Sequence, residues 1–238
     1  MPTDEESRAR AAARNNAEWC DAVCRAHGLP GAFDADAWTN AHRTPRYYPD
    51  AVTLAATASA EHVLDRIDTA SPGCSVKDSF TRLDLTGAGF RVLLEAEWIY
   101  RPQPDPVSTG LLDIPWKPVR DGAGLMEWEA AWSDRQDELG LFPSELLTDH
   151  MVIFLGARLG GRLIAGCVAN SRSLVVGVSN LFVLDGDLDT AWAGALAAIA
   201  RHSPGRAVVG YEHGDTLAAA LRQGFRPVGQ LRVWLHDP

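Results

Sequence analysis

The stretch AGCVANSRSLVVGVSNLFVLDGDLDTAWAGALAAIA, Ala165 to Ala200, decides how the chain is read. Two short apolar runs flank a polar turn at Asn170–Ser173, a pattern that predicts antiparallel strands. An Ala-rich helix follows over 189–202. Asp185, Asp187 and Asp189 fall at the strand-to-helix junction. Such junctions usually attract anions, because free N–H groups and the positive end of the helix dipole point outward there. Three carboxylates at that spot suggest helix capping by Asp187 or Asp189 instead. The D-x-D-x-D spacing also suggests calcium. An EF-hand loop, however, needs glycine at its sixth position and a carboxylate at its twelfth, which here are Thr190 and Leu196. No metal site is expected.

Working outward, residues 151–184 read as three meander strands, with Gly160-Gly161 turning the first pair. A strand (207–212), a helix (215–223) and a strand pair (225–236) complete the chain. Upstream lie a strand at 116–120, a helix from about 124 to 134, and a short helical piece at 143–148. The segment PQPDPVSTG, starting at Pro102, is the clearest boundary and divides the chain into 1–105 and 106–238. The N-terminal part reads as a helix over 5–28 and a long connection over 29–50. A strand (50–56), a helix from Ser59 to Ala70, a strand (74–80), a short helical stretch and a strand (90–101) follow. The order strand, helix, Ser-Pro-Gly, strand, helix, Gly-Phe-Arg, strand occurs in both parts. Ser71 and Ser203 lie 132 residues apart, and Gly89 and Gly224 lie 135 apart. The echo points to a duplicated β-α-β-α-β unit.

A net charge of −9 and the lack of any basic run argue against nucleic acid or an anionic membrane surface as partner. MPTDEESRAR has no apolar core of a secretory signal, and the apolar run Ala191–Ala200 is too short to span a bilayer. A cytoplasmic location is expected, with reduced cysteines. Cys20, Cys24 and His27 share a helix face, where small buried thiols are the expectation over a zinc site that lacks a fourth ligand. Eight tryptophans point to aromatic packing or a lined pocket.

The element order over 111–238 resembles the GNAT N-acyltransferase superfamily. AGCVANSRSLVVGVSNLFVL is similar to its two central antiparallel strands. AVVGYEHGDTLAAALRQGFRPVGQLRVWL (207–235) is similar to its closing strand-helix-strand unit with a Gly-Phe hinge. The resemblance implies an α/β (α+β) fold: a mixed, mostly antiparallel sheet flanked by helices, with a truncated N-terminal copy of the same unit. It implies acetyl-CoA or another acyl-CoA as cofactor, with the pantetheine arm on the backbone of Leu181, Phe182 and Val183. Two departures stand out. The family's pyrophosphate loop, R/Q-x-x-G-x-G/A, falls near Leu188, Ala191 and Ala193, with no basic residue and neither glycine. The family's frequent tyrosine four residues before the hinge glycine is Ala220, and Tyr211 is the nearest replacement.

Glu212 and His213 end a strand and precede a helix, a common place for α/β sites. Either could act as general base on an amine. The alternative is that Gly214 turns the chain and Asp215 caps the helix. Lys77-Asp78 and the pair Glu95 and Glu97 are further candidates, each with a structural alternative. The basic-aromatic loop HRTPRYYPD (42–50) could hold a phosphate or carboxylate, or could tie the first helix down. Two functions follow: transfer of an acyl group from acyl-CoA or carrier pantetheine to a small-molecule amine, or a catalytically degenerate GNAT-fold pseudoenzyme that binds a small ligand or a protein. Homodimer formation is left open.

Overall fold

A computed structural model describes residues 3–102, 114–133 and 139–236. The boundary read at 105/106 lies outside the described residues. The chain packs as two compact units, 1–98 with 227–238, and 99–226. Among the described residues no helix is long and apolar enough to cross a membrane.

The unit 99–226 holds the decisive stretch. Strands β6 (Trp116–Pro118), β7 (Val152–Leu159), β8 (Arg162–Asn170) and β9 (Val176–Val183) are joined as antiparallel neighbours. β10 (Val208–Glu212) lies parallel to β9. Helix α3 (Gly122–Trp132) precedes β7, α4 (Leu188–His202) links β9 to β10, and α5 (Gly214–Arg222) follows β10. The apolar face of α4, including Trp192, Ala195, Leu196 and Ile199, is buried in one core with Val176, Val178 and Val208 of the strands. Arg201 and His202 in its last turn complement the dipole, and Ser203-Pro204 ends it. Trp128 of α3 meets Phe142, Phe154 and Phe182 edge-on, at centroid distances of 5.6, 5.1 and 5.2 Å, and its indole N–H donates to Leu155 O. These contacts give part of the tryptophan excess a packing role.

The other unit repeats the motif in shortened form. β3 (Ala51–Thr53), α2 (Ala60–Leu64) and β4 (Ser75–Asp78) make a parallel β-α-β, with Ala51 opposite Val76. The second helix is reduced to a 3₁₀ turn, Thr86–Ala88, before β5 (Phe90–Arg101). Two short strands, β1 (Ala32–Phe33) and β2 (Ala37–Thr39), occupy the segment read as a connection. The predicted strand pair at 225–236 is a single strand, β11 (Arg226–His236), antiparallel to β4. Gly229 within it does not turn the chain. A Cβ there would stand 3.3 Å from that of Ala9 on α1 (Asp4–Ala26), so it marks a close packing contact.

Lys77, Asp78, the 42–50 loop and Glu95 have structural partners. Lys77 is buried, with its ammonium 2.8 Å from Asn16 Oδ1 on α1. Asp78 accepts from the Leu83 amide at 2.8 Å. The Arg43 guanidinium binds the Asp50 carboxylate and the carbonyls of Asp68 and Ser71, so the 42–50 loop is tied to the body. Glu95 pairs with Arg232 at 2.6 Å. Cys20 and Cys24 are buried free thiols whose pKa burial raises, Cys20 to about 11. Among the described residues no group of three or more His, Cys, Asp or Glu is arranged to hold a metal ion.

Candidate functional site

The candidate residues Leu181–Val183 and Tyr211–His213 lie where β9 and β10 part. Their pairing is confined to Val176 with Val208 and Gly177 with Val209. Gly210 makes the last close approach, since a Cβ there would sit 3.1 Å from Val178 O. Beyond it, β9 keeps its bonds to β8 only on its far edge. Within that pairing Ser179 faces Val168 and Phe182 faces Gly166, so Asn180 and Leu181 together oppose Cys167. This is a β-bulge, and Asn180 supplies the left-handed residue at φ 54°. Asparagine tolerates that conformation better than most residues, which fits its presence here. A bulge disrupts the local ladder and re-aims the chain beside the split.

Leu181 and Val183 pack partly buried against the α4 core, while Phe182 turns to the aromatic cluster around Trp128. Their side chains are therefore committed to packing. What this segment offers a ligand is backbone on the edge facing β10.

Tyr211 and Glu212 end β10 and are half-buried. Burial pushes the Glu212 carboxyl from its ordinary 4.5 up to about 7, against a smaller opposite pull from the Thr216 hydroxyl on α5. His213 is the exposed N-cap of α5, with no capping bond from its side chain, and Gly214 behind it has φ 53°. Ala220 is fully buried in the α4–α5 core, so a tyrosine could not stand there without rebuilding that core.

The three aspartates are satisfied by the protein itself. Asp187 is the N-cap of α4 and accepts from the Thr190 amide at 2.8 Å and its hydroxyl at 3.0 Å. These bonds hold its carboxyl below the usual range. Asp185 meets Arg162 at 2.5 Å. Asp189 takes a fork from Arg222 of α5, at 2.9 and 2.8 Å, which likewise lowers its carboxyl. The bulge and the burial of Glu212 carried no signal in residue periodicity. The polar pair Ser179-Asn180 in the middle of an apolar strand was the one local hint of the first.

No protein-family model matches the chain, and no curated protein sequence does either. Solved structures do match. A GCN5-related N-acetyltransferase from Kribbella flavida aligns with TM-score 0.64 at 13% identity, over 95% of this chain and 96% of its own. This chain has the GNAT fold. A GCN5-related N-acetyltransferase-like protein from Streptococcus suis 89/1591 gives TM-score 0.57 at 13% identity, over 97% and 99%. One from Sphaerobacter thermophilus gives 0.50 at 11%, over 96% and 94%. At these identities the likeness lies in the GNAT architecture, and it extends over nearly the whole of each chain.

Proposed function

We propose that the chain is an N-acyltransferase that moves an acyl group from a pantetheine thioester, on CoA or on a carrier, to a small amine. The observation that supports this best is Glu212, a carboxyl poised near neutral pH at the strand end where β9 and β10 part. A general base works best with a pKa close to the operating pH. The thioester supplies an activated acyl carbon. Main-chain groups of Leu181–Val183, on the edge left open toward β10, would bind the pantetheine arm. Glu212 would take the proton that the amine nitrogen gives up on acylation. His213, exposed beside it, would pass that proton to solvent, and Tyr211 would stand near the leaving sulfur.

The nucleotide end of CoA fits this chain poorly. The α4 amide that would meet a phosphate is bonded to Asp187, and carboxylates line the approach. The donor would thus be held through its arm. Calorimetric titration with acetyl-CoA and with phosphopantetheine tests this, with similar affinities expected. Absence of binding by both at millimolar concentration would sink the proposal. Much tighter binding of acetyl-CoA would sink the role given to Asp187. One observation favours a non-catalytic ligand-binding role instead: the core-buried Ala220 leaves no proton donor at the family's tyrosine position.

A further inference from the structure

A hollow lies within the unit 99–226, on the sheet face covered by α4. Its floor is a row of residues set directly opposite one another across four strands. Trp116 faces Ala157, Ala157 faces Ala165, and Ala165 faces Val183. Directly opposite residues share a sheet face. The row therefore reads large, small, small, large, and the two alanines leave a trough between the indole and the valine. The α4 wall is small as well. Ala191 lines the trough, and Gly194 lets Trp116 pack so closely that a Cβ there would fall 2.1 Å from the indole nitrogen. The result is an apolar pocket of about 200 Å³. A dry cavity of roughly 150 Å³ is enough for a benzene ring.

The rim has the opposite character. Asp185 and Asp187 stand at the mouth, with Thr190. Arg162 balances one carboxylate from outside the lining, and Asp187 keeps only uncharged hydrogen-bond partners, so the mouth carries net negative charge. An apolar trough with such a rim suits a molecule with a ring or short alkyl body and a cationic end. It rejects an anion of the same shape.

We propose that this pocket binds a hydrophobic organic cation, an aryl- or alkylamine about the size of 2-phenylethylamine, with its body over Ala157 and Ala165 and its ammonium at Asp185 and Asp187. The pocket adjoins the donor path proposed above and shares Val183 and the Asp187–Thr190 cap with it, but binding of the amine here requires no acyl transfer.

Three probes of one shape test it: 2-phenylethylamine, 2-phenylethanol and phenylacetate, titrated into the full chain and followed by NMR shifts. Affinity should fall in that order. The amine should lead the carboxylate by about tenfold or more at low salt, and the gap should narrow as salt screens the rim. Ala165→Leu fills the trough and should abolish saturable binding. Where thermal unfolding shows that variant misfolded, Ala157→Val makes the same test. Asp185→Asn with Asp187→Asn keeps the cap geometry and should erase the preference for the amine. Equal affinity of amine and carboxylate would overturn the proposal. So would saturable binding that survives a folded, filled variant, or no binding of the amine at millimolar concentration.

Discussion

Glu212→Gln should stabilise the protein at alkaline pH and leave it unchanged in acid, an effect that can be measured with no substrate in hand. In the unfolded chain the carboxyl ionises near 4.5, and in the folded one it holds its proton to about 7. Between those values the folded state binds more protons, so stability falls as pH rises through the window. Below 4.5 both states are protonated and the group costs nothing. Above 7 the folded protein carries a charge in a poorly solvated place. At about 1.4 kcal/mol per pH unit, the full displacement corresponds to about 3 kcal/mol. The side chain is half-buried, so solvent screens part of this, and about 1.5 kcal/mol is the expected cost at pH 8. Glutamine has nearly the same shape and cannot ionise. Urea unfolding of both proteins should give equal stabilities near pH 4 and an advantage of about 1.5 kcal/mol for the variant at pH 8, opening between pH 4.5 and 7. Every other titrating group cancels in the difference. A difference that stays flat with pH, or one that grows toward acid, would mean that Glu212 is well solvated, and its candidacy as a base near neutrality would fall with it. In an acyl-transfer assay the same variant should lose roughly 10²–10⁴ in rate.

Asp187→Ala removes the α4 cap and should cost about 1 kcal/mol in urea unfolding. It also frees the Thr190 amide, so acetyl-CoA should bind more tightly by calorimetry while pantetheine stays unchanged. Gly194→Ala drives a methyl into the Trp116 indole and should cost about 1–3 kcal/mol, read by the same unfolding experiment. Asp50→Ala leaves Arg43 and the amides of Thr44 and Ser75 without their shared acceptor. That buried loss should exceed about 3 kcal/mol by thermal unfolding.

The meander and α4 were legible because strongly patterned segments of eight or more residues carry enough period to outweigh noise. The features that the pattern does not carry depend on distant partners. The helix read over 59–70 stops after Leu64. The Asp68 side chain accepts from the amides of Ala70 and Ser71, and its carbonyl is taken by Arg43, 25 residues away, so the backbone is drawn into a turn. The strand pair read over 225–236 is one strand, in which Gly229 makes room for Ala9 of α1. At the site, the two-residue separation in "NL" that makes the bulge is one register step against β8, which no single strand's pattern records. Glu212 was visible as a carboxylate at a strand end. Its displaced titration was not, because burial is set by the folded surroundings and not by the residues beside it in sequence.

The three aspartates explain one another once their partners are known. A helix N-terminus in an α/β junction needs negative charge, and a ligand phosphate or the chain itself can supply it. Here Asp187 supplies it. A carboxylate on the Thr190 amide both caps α4 and repels any phosphate that approaches. Asp189 then draws Arg222, the basic residue of α5 nearest this end, into an ion pair, so the cation best placed to compensate is already engaged. Asp185 does the same with Arg162. Each pair is exposed and contributes little to stability. Their joint effect is on recognition: the junction has charge complementarity for cations and none to spare for a pyrophosphate. On the function proposed above, a donor entering between β9 and β10 would be gripped by backbone along its arm. If Asp187→Ala failed to improve acetyl-CoA binding while the arm alone still bound, the exclusion would have to come from shape at the junction and not from charge.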